Sequence, residues 1–353
     1  MRGDDAMVAA AVSAVRAANV LTTMAQGRLL AGETLAKSDA SPVTVADFGA
    51  QAVVCSILRS RLGDVAVVGE ESASDLLDQP ALLAGATALV SATIGREVSS
   101  AELIDWVGLG AGSPTGGRYW TLDPIDGTKG FVRGDQYATA LALIEDGEVV
   151  LGVLGCPRLA TTDARAGVLF VAVDGTTISY SSDDAAPRRV VVADPASLSD
   201  ARLCESVESG HSDHDQSSAV AAHLGISTEP YRIDSQCKYG ALARGDASIY
   251  LRLPTRADYV EKIWDHAAGK LVVEFAGGTV TDVDGESLDF DRGATLTGNR
   301  GIVATSGAFH AEVLAAVRAV IDEPSSTNGA ARGGESMKKV RTIGVPVTKT
   351  WCA

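Results

Sequence analysis

Residues 119–179 constrain the architecture more than any other part of the chain. Three apolar or alternating stretches, Tyr119–Asp123, Tyr137–Pro157 and Gly167–Ser179, carry the turn signals Asp146-Gly147 and Asp174-Gly175. Asp-Gly between apolar runs marks a tight hairpin, because both residues tolerate the left-handed backbone that a two-residue turn needs. The stretch therefore predicts a sheet of hairpin strands. Upstream, Val8, Val12, Val15, Val20 and Leu29 stand near helical spacing in an Ala-rich background, predicting an amphipathic helix over 6–30. A second helix is expected over 46–62, capped by Thr44 after the Ser41-Pro42 break and ended by Gly63. The Val-rich run 65–72 reads as a buried strand ending in acids, 75–84 as a third helix, and 85–118 has little pattern.

Residues 181–189 are polar, contain a proline and mark a candidate linker. Beyond it, strands are expected at 190–193, 231–234 and 247–252, and helices at 215–224, 236–244, 263–276 and 307–322. That alternation suggests a second α/β layer. The expected division is a metal-binding half over 1–180, a substrate half over 181–322 and a disordered tail over 323–353, where Ser, Gly and Lys are frequent.

Charge narrows the partners. With 45 acids against 30 bases the formal charge is −15, which repels a nucleic-acid backbone but leaves room for a small phosphorylated ligand held by a metal or a local basic pocket. No apolar run reaches the roughly 18 residues of a membrane span, so a soluble protein with no membrane partner is expected. Five scattered cysteines without a CxxC pair fit reduced thiols and a cytoplasmic setting, or an organelle after loss of a transit peptide. Oligomeric state is not set by the sequence.

The chemistry concentrates in Trp120-Thr-Leu-Asp-Pro-Ile-Asp-Gly-Thr-Lys129. A strand running into Pro124 and Gly127 must turn, so Asp123 and Asp126 can face one point with the Ile125 carbonyl between them. Such an all-oxygen nest suits a hard cation such as Mg²⁺. Gly127-Thr128 would then open a helix whose N–H groups favour phosphate. An ordinary Asp/Pro/Gly surface turn is the competing explanation. Three further acids shift the balance: Glu70 closes the Val-rich strand, Asp265 sits in Ile-Trp-Asp-His-Ala-Ala-Gly-Lys270, and Asp47 lies at a helix start. With the nest they supply the carboxylates that a two-metal phosphoryl-transfer site requires. His211-Ser-Asp-His-Asp215 lacks a helix or a cysteine cluster and does not read as a zinc site.

Asp123-Pro-Ile-Asp-Gly-Thr128, Gly69-Glu70-Glu71, and Trp264-Asp-His-Ala-Ala268 followed by Ala276-Gly-Gly278 resemble the signatures of the inositol monophosphatase superfamily, Mg²⁺-dependent and Li⁺-sensitive phosphatases. Ser41-Pro-Val-Thr-Val-Ala-Asp47, Val207-Glu-Ser-Gly-His-Ser212, Asp234-Ser-Gln-Cys-Lys-Tyr239 and Tyr250-Leu-Arg-Leu-Pro254 are similar to its bisphosphate nucleotidase branch, which removes the 3′-phosphate of adenosine 3′,5′-bisphosphate. The resemblance implies a layered αβαβ sandwich like that of inositol monophosphatase and fructose-1,6-bisphosphatase, with two or three Mg²⁺ ions. It makes Glu70, Asp123, the Ile125 carbonyl, Asp126 and Asp265 the metal ligands, and Asp47 with Thr128 the pair that orients and deprotonates the attacking water. Gly127, Thr128 and Asp265 would also meet the substrate. Lys238 and Arg252 are placed to clamp the distal 5′-phosphate, Ser235 to add a hydroxyl, and His211 to meet ribose or base. An inositol polyphosphate 1-phosphatase, an inositol monophosphatase, and a nucleotide sensor gated by Cys156 or Cys237 are the rival readings.

Overall fold

Two long helices lead the chain into its first sheet. The computed structural model describes residues 5–32, 42–113, 117–161, 166–181, 186–207, 214–254, 256 and 259–322. Helices α1 (Asp5–Leu30) and α2 (Pro42–Leu62) precede strand β1 (Val67–Gly69), and α3 (Ala73–Leu77), α4 (Pro80–Ile94) and α5 (Ser100–Gly108) follow it. Then come β2 (Arg118–Asp126), α6 (Thr128–Arg133), β3 (Ala138–Glu145), β4 (Glu148–Ala160), β5 (Ala166–Val173), β6 (Thr176–Ser181) and β7 (Arg188–Arg189). The remainder is β8 (Leu203–Glu205), α7 (His214–His223), β9 (Tyr231–Arg232), α8 (Cys237–Ala243), β10 (Ile249–Arg252), a 3₁₀ turn Ile263–Asp265, α9 (Ala267–Glu274), β11 (Thr279–Thr281), β12 (Ile302–Thr305) and α10 (His310–Asp322).

The hairpin sheet is present. Strands β1 to β7 form one seven-stranded sheet in sequence order, antiparallel except for the β1–β2 pair. Its β3–β4 turn has positive φ at both Asp146 (49°) and Gly147 (81°), and its β5–β6 turn at Asp174 (48°) and Gly175 (74°). Both are the turns that match strand twist. A second sheet runs β11-β12-β10-β8-β9.

Alternation along β5 shows how the layers stack. Leu169 and Val171 join a core with α1, α2, α4 and α5, while Val168, Phe170 and Ala172 join another with α8, α9 and the inner face of the second sheet. The outer face of that sheet buries Leu203, Ile249, Leu251 and Val303 against α7 and α10. The order is helix, sheet, helix, sheet, helix. The expected αβαβ sandwich is therefore completed by an outer helix pair.

Several local expectations change. Helix α2 begins at Pro42, so Thr44 lies in its first turn and is not its cap; proline is favoured there because its missing N–H would be unpaired anyway. The helix expected over 75–84 is instead α3 and the start of α4, separated at Asp78 and Gln79 ahead of Pro80. Residues 85–118 contain the rest of α4, too uniformly apolar to show a helical stripe, and α5, for which Ser99 and Glu102 form a reciprocal capping box. Residues 190–193 form no strand; Val192 N–H instead donates to Ala276 O at 3.1 Å. Arg188 and Arg189 extend the first sheet, so part of the candidate linker is strand. Helix α1 is long and apolar enough to cross a membrane by length and composition. Its stripe Ala10, Ala11, Ala14, Val15, Ala18, Leu21 and Ala25 is nevertheless fully covered in the first core, which makes it a core helix. The tail expectation for 323–353 lies outside the described residues.

Candidate active site

The end of β2 sets the geometry. Asp123 pairs with Ala140 and Asp126 with Ala138, so three steps on β2 oppose two on β3. Directly opposed residues share a face, and Ala138 and Ala140 share one. The extra residue thus turns Asp126 onto the side of Asp123, which a regular strand would not do. Pro124 needs no N–H partner in this bulge, and Thr139 Oγ1 donates to its carbonyl at 2.9 Å.

Glu70 follows β1, its N–H donating to Leu122 O at 3.2 Å, and its carboxyl reaches that of Asp123. Gln51 on α2 holds the next residue from both ends: its amide donates to Glu71 O at 2.6 Å, and its oxygen accepts from Glu71 N at 3.0 Å. Asp47, one turn earlier on α2, is buried. Asp265 closes the group from the 3₁₀ turn ahead of α9.

These acids oppose one another. Burial, then the charge of Glu70, pushes the Asp123 carboxyl well above its usual range, and burial followed by Glu71 and Glu70 does the same to Asp47. Burial raises Asp265 to about 6 against the opposing charge of Arg252. It raises Glu71 to about 7, with Glu70 adding to the shift. Asp123 Oδ1 is buried with no hydrogen-bond partner. An orphaned carboxylate oxygen among like charges, with oxygen donors only, fits a hard cation bound at this point.

Residues 235–252 close over the group. Gly127 has φ 91°, and a Cβ there would lie 2.7 Å from Ser235 Cβ. Gln236 joins three elements: its N–H donates to Asp126 Oδ2 at 2.5 Å, its amide donates to Trp264 O at 2.9 Å, and its oxygen accepts from Gly269 N at 3.1 Å. Lys238 is buried, donates to Ser206 Oγ at 3.2 Å and lies over the Tyr250 ring; burial pulls its pKa down, with Asp126 opposing. Arg252 donates through Nε to Glu261 Oε1 at 2.9 Å, its Nη2 lies 2.8 Å from Glu261 Oε2 and 3.5 Å from Asp265, and the same nitrogen donates to Tyr259 Oη at 3.0 Å.

One cleft of about 320 Å³ is lined by Glu70, Asp123, Ile125, Asp126, Gly127, Thr128, Ser235, Lys238, Arg252 and Asp265. Of the sequence-derived site residues these ten converge. Asp47 stands behind the carboxylates on α2, Thr128 is exposed at the start of α6, and no hydrogen bond joins the two among the described residues. His211 lies outside the described residues. Cys156 and Cys237 are fully buried, so neither is placed as an exposed thiol sensor. Glu261, Asp265 and His266 could by proximity hold a metal, but Glu261 already binds Arg252 and His266 Nε2, the latter at 3.1 Å. Gln51, Gln236, Tyr259 and Glu261 carry no sequence signal that singles them out.

The inositol monophosphatase family profile matches residues 4–322. A 3′(2′),5′-bisphosphate nucleotidase of Emericella nidulans is 42% identical over 341 residues, covering 87% of this chain and 96% of that protein. One from Schizosaccharomyces pombe is 41% identical and covers 90% and 96%. In structure the chain is similar to an inositol monophosphatase from Zymomonas mobilis, with TM-score 0.58, 19% identity and coverage of 88% and 97%. It is also similar to CysQ from Bacteroides thetaiotaomicron, with TM-score 0.56, 18% identity and coverage of 84% and 96%.

Proposed function

The chain belongs to the inositol monophosphatase family, and from that premise we propose that it is a metal-dependent phosphatase that removes the 3′-phosphate of adenosine 3′,5′-bisphosphate. The observation that carries the substrate is the mixed lining of one cleft. Carboxylates Glu70, Asp123, Asp126 and Asp265 share it with Lys238 and Arg252, so a small substrate with one phosphate at the carboxylates has a second anionic position within reach. Lys238 is buried without a salt bridge among the described residues, an arrangement that favours an anionic ligand over simple solvation.

Glu70, Asp123, the Ile125 carbonyl, Asp126 and Asp265 are the residues that would hold the metal, taken as two or three Mg²⁺ ions. When bound, such ions supply positive charge to the phosphate oxygens and acidify the attacking water. Asp47 serves as the base, since burial raises its affinity for a proton. In this reading Thr128 is its partner, the hydroxyl relaying the proton from the water. Gly127, which has no room for a side chain beside Ser235, lets the turn lie close to the residues that would meet the phosphate.

A phosphate-release panel with Mg²⁺ tests this, comparing adenosine 3′,5′-bisphosphate, its 5′-phosphosulfate analogue, 3′-AMP, an inositol bisphosphate and inositol monophosphate. The bisphosphate nucleotide should have the highest kcat/KM, and millimolar Li⁺ should inhibit. Faster turnover of either inositol phosphate would overturn the nucleotide assignment.

A further inference from the structure

We propose that Tyr259 is the platform on which the substrate's base stacks, making it the residue that separates a nucleoside bisphosphate from an inositol bisphosphate. The inference rests on the nucleotide reading above. Tyr259 is 51% exposed, and every other exposed large hydrophobic residue among those described is a valine or a leucine. It is also the one member of that group that lines the active-site cleft.

Its ring is held in place. Arg252 Nη2 donates to its hydroxyl at 3.0 Å, and the guanidinium carbon lies 5.9 Å from the ring centroid. Arg252 is itself fixed by two contacts to Glu261, at 2.9 and 2.8 Å. The ring is thus positioned before substrate arrives, which lowers the ordering entropy of binding.

The shape of the substrate fits the placement. With the 3′-phosphate at the carboxylates, the 5′-carbon and the base both project from the opposite face of the ribose. If Arg252 meets the 5′-phosphate, the tyrosine bonded to it stands beside the base. Every base has a π-face for such a ring, whereas an inositol ring has none.

The test compares wild type, Tyr259→Ala and Tyr259→Phe on adenosine 3′,5′-bisphosphate and on ribose 3,5-bisphosphate, which lacks the base. Calorimetric binding of AMP to each protein in Mg²⁺ gives a readout independent of turnover. Tyr259→Ala should raise KM for the nucleotide about tenfold relative to the abasic substrate and weaken AMP binding similarly. Tyr259→Phe keeps the π-face but loses the bond from Arg252, so its ratio should lie closer to wild type than that of Tyr259→Ala. A Tyr259→Ala enzyme with an unchanged nucleotide-to-abasic ratio overturns the inference, as does an equal loss on both substrates. Wild-type preference for inositol bisphosphate would overturn the nucleotide reading instead, whatever the variants show.

Discussion

Glu261 holds the charge balance of the cleft. It is buried, takes both Arg252 contacts and also faces His266 Nε2 at 3.1 Å, while His266 Nδ1 meets the Tyr239 hydroxyl at 2.8 Å. Burial alone would raise its pKa, but His266 and Arg252 outweigh that and hold it below the usual range, as an anion. In Glu261→Gln one carboxylate oxygen and the charge are lost, and the nearest remaining acid for Arg252 is Asp265, already 3.5 Å away. The guanidinium should turn toward Asp265, so KM for the bisphosphate should rise about tenfold. In an Arg252→Ala background the same change should add little, because its effect passes through Arg252. Steady-state kinetics on the four proteins of this cycle decide it, and additive losses would refute the coupling. Sequence alone marks Lys238 and Arg252 as cations in apolar surroundings. It says nothing of Glu261, Gln51 or Gln236, because each acts through partners between 5 and 110 residues distant.

Elements were legible where turn chemistry or length spoke. Asp146-Gly147 and Asp174-Gly175 locate both hairpins, and α2, α7, α8 and α10 stand close to their expected spans. Helix α1 was found through its valines, yet its buried stripe is mainly alanine, and Val20 is 61% exposed. Small residues let a helix lie close to its neighbours without registering as hydrophobic periodicity. Strands β8, β11 and β12 span only three or four residues, too few to show a period of two. The β2 bulge was partly legible: Pro124 and Gly127 announce a turn, but only the β3 register shows that it brings Asp126 onto the face of Asp123. Gly127 is where this element can be tested. Its φ of 91°, and the 2.7 Å at which an added Cβ would meet Ser235 Cβ, leave no room for a side chain. Gly127→Ala should lower stability by about 1–3 kcal/mol, through strain and the crowding of Ser235, and should reduce kcat by displacing the neighbouring Asp126 carboxylate. Thermal melts with kinetics check both; an unchanged kcat would mean that the turn does not position Asp126 for turnover.

At the scale of the whole molecule, the two sheets share a core through α8 and α9, and the acid cluster lies where the first sheet's strand ends meet that shared layer. The fold therefore gathers like charges beside the layer its two sheets share, and its stability should report on them. Asp265 is raised to about 6 and Glu71 to about 7, while Asp47 and Asp123 are also raised, chiefly by burial. An unfolded carboxyl titrates near about 4, so between about pH 4 and pH 7 the folded chain binds more protons than the unfolded one. Stability contributed by these groups is then present at the acidic end of that window and lost as pH rises. The metal-free protein should melt at a higher temperature at pH 5 than at pH 7.5. Mg²⁺ bound to the folded chain alone, at about a hundredfold over its dissociation constant, adds about 2.7 kcal/mol. For a chain of this length that is several degrees, and the gain should be larger at pH 7.5, where protons no longer compete for the oxygens. Asp123→Asn removes a buried charge from the cluster, so it should flatten the metal-free pH dependence, abolish the Mg²⁺ shift and lower turnover by orders of magnitude while the chain stays folded. Calorimetric scans of wild type and variant at the two pH values, with chelator and with Mg²⁺, separate these effects. A metal-free melting temperature that rises from pH 5 to pH 7.5 would show that these raised carboxyls do not govern the stability of the chain, and an Asp123→Asn protein that keeps the wild-type Mg²⁺ shift would show that the cluster is not the cation site.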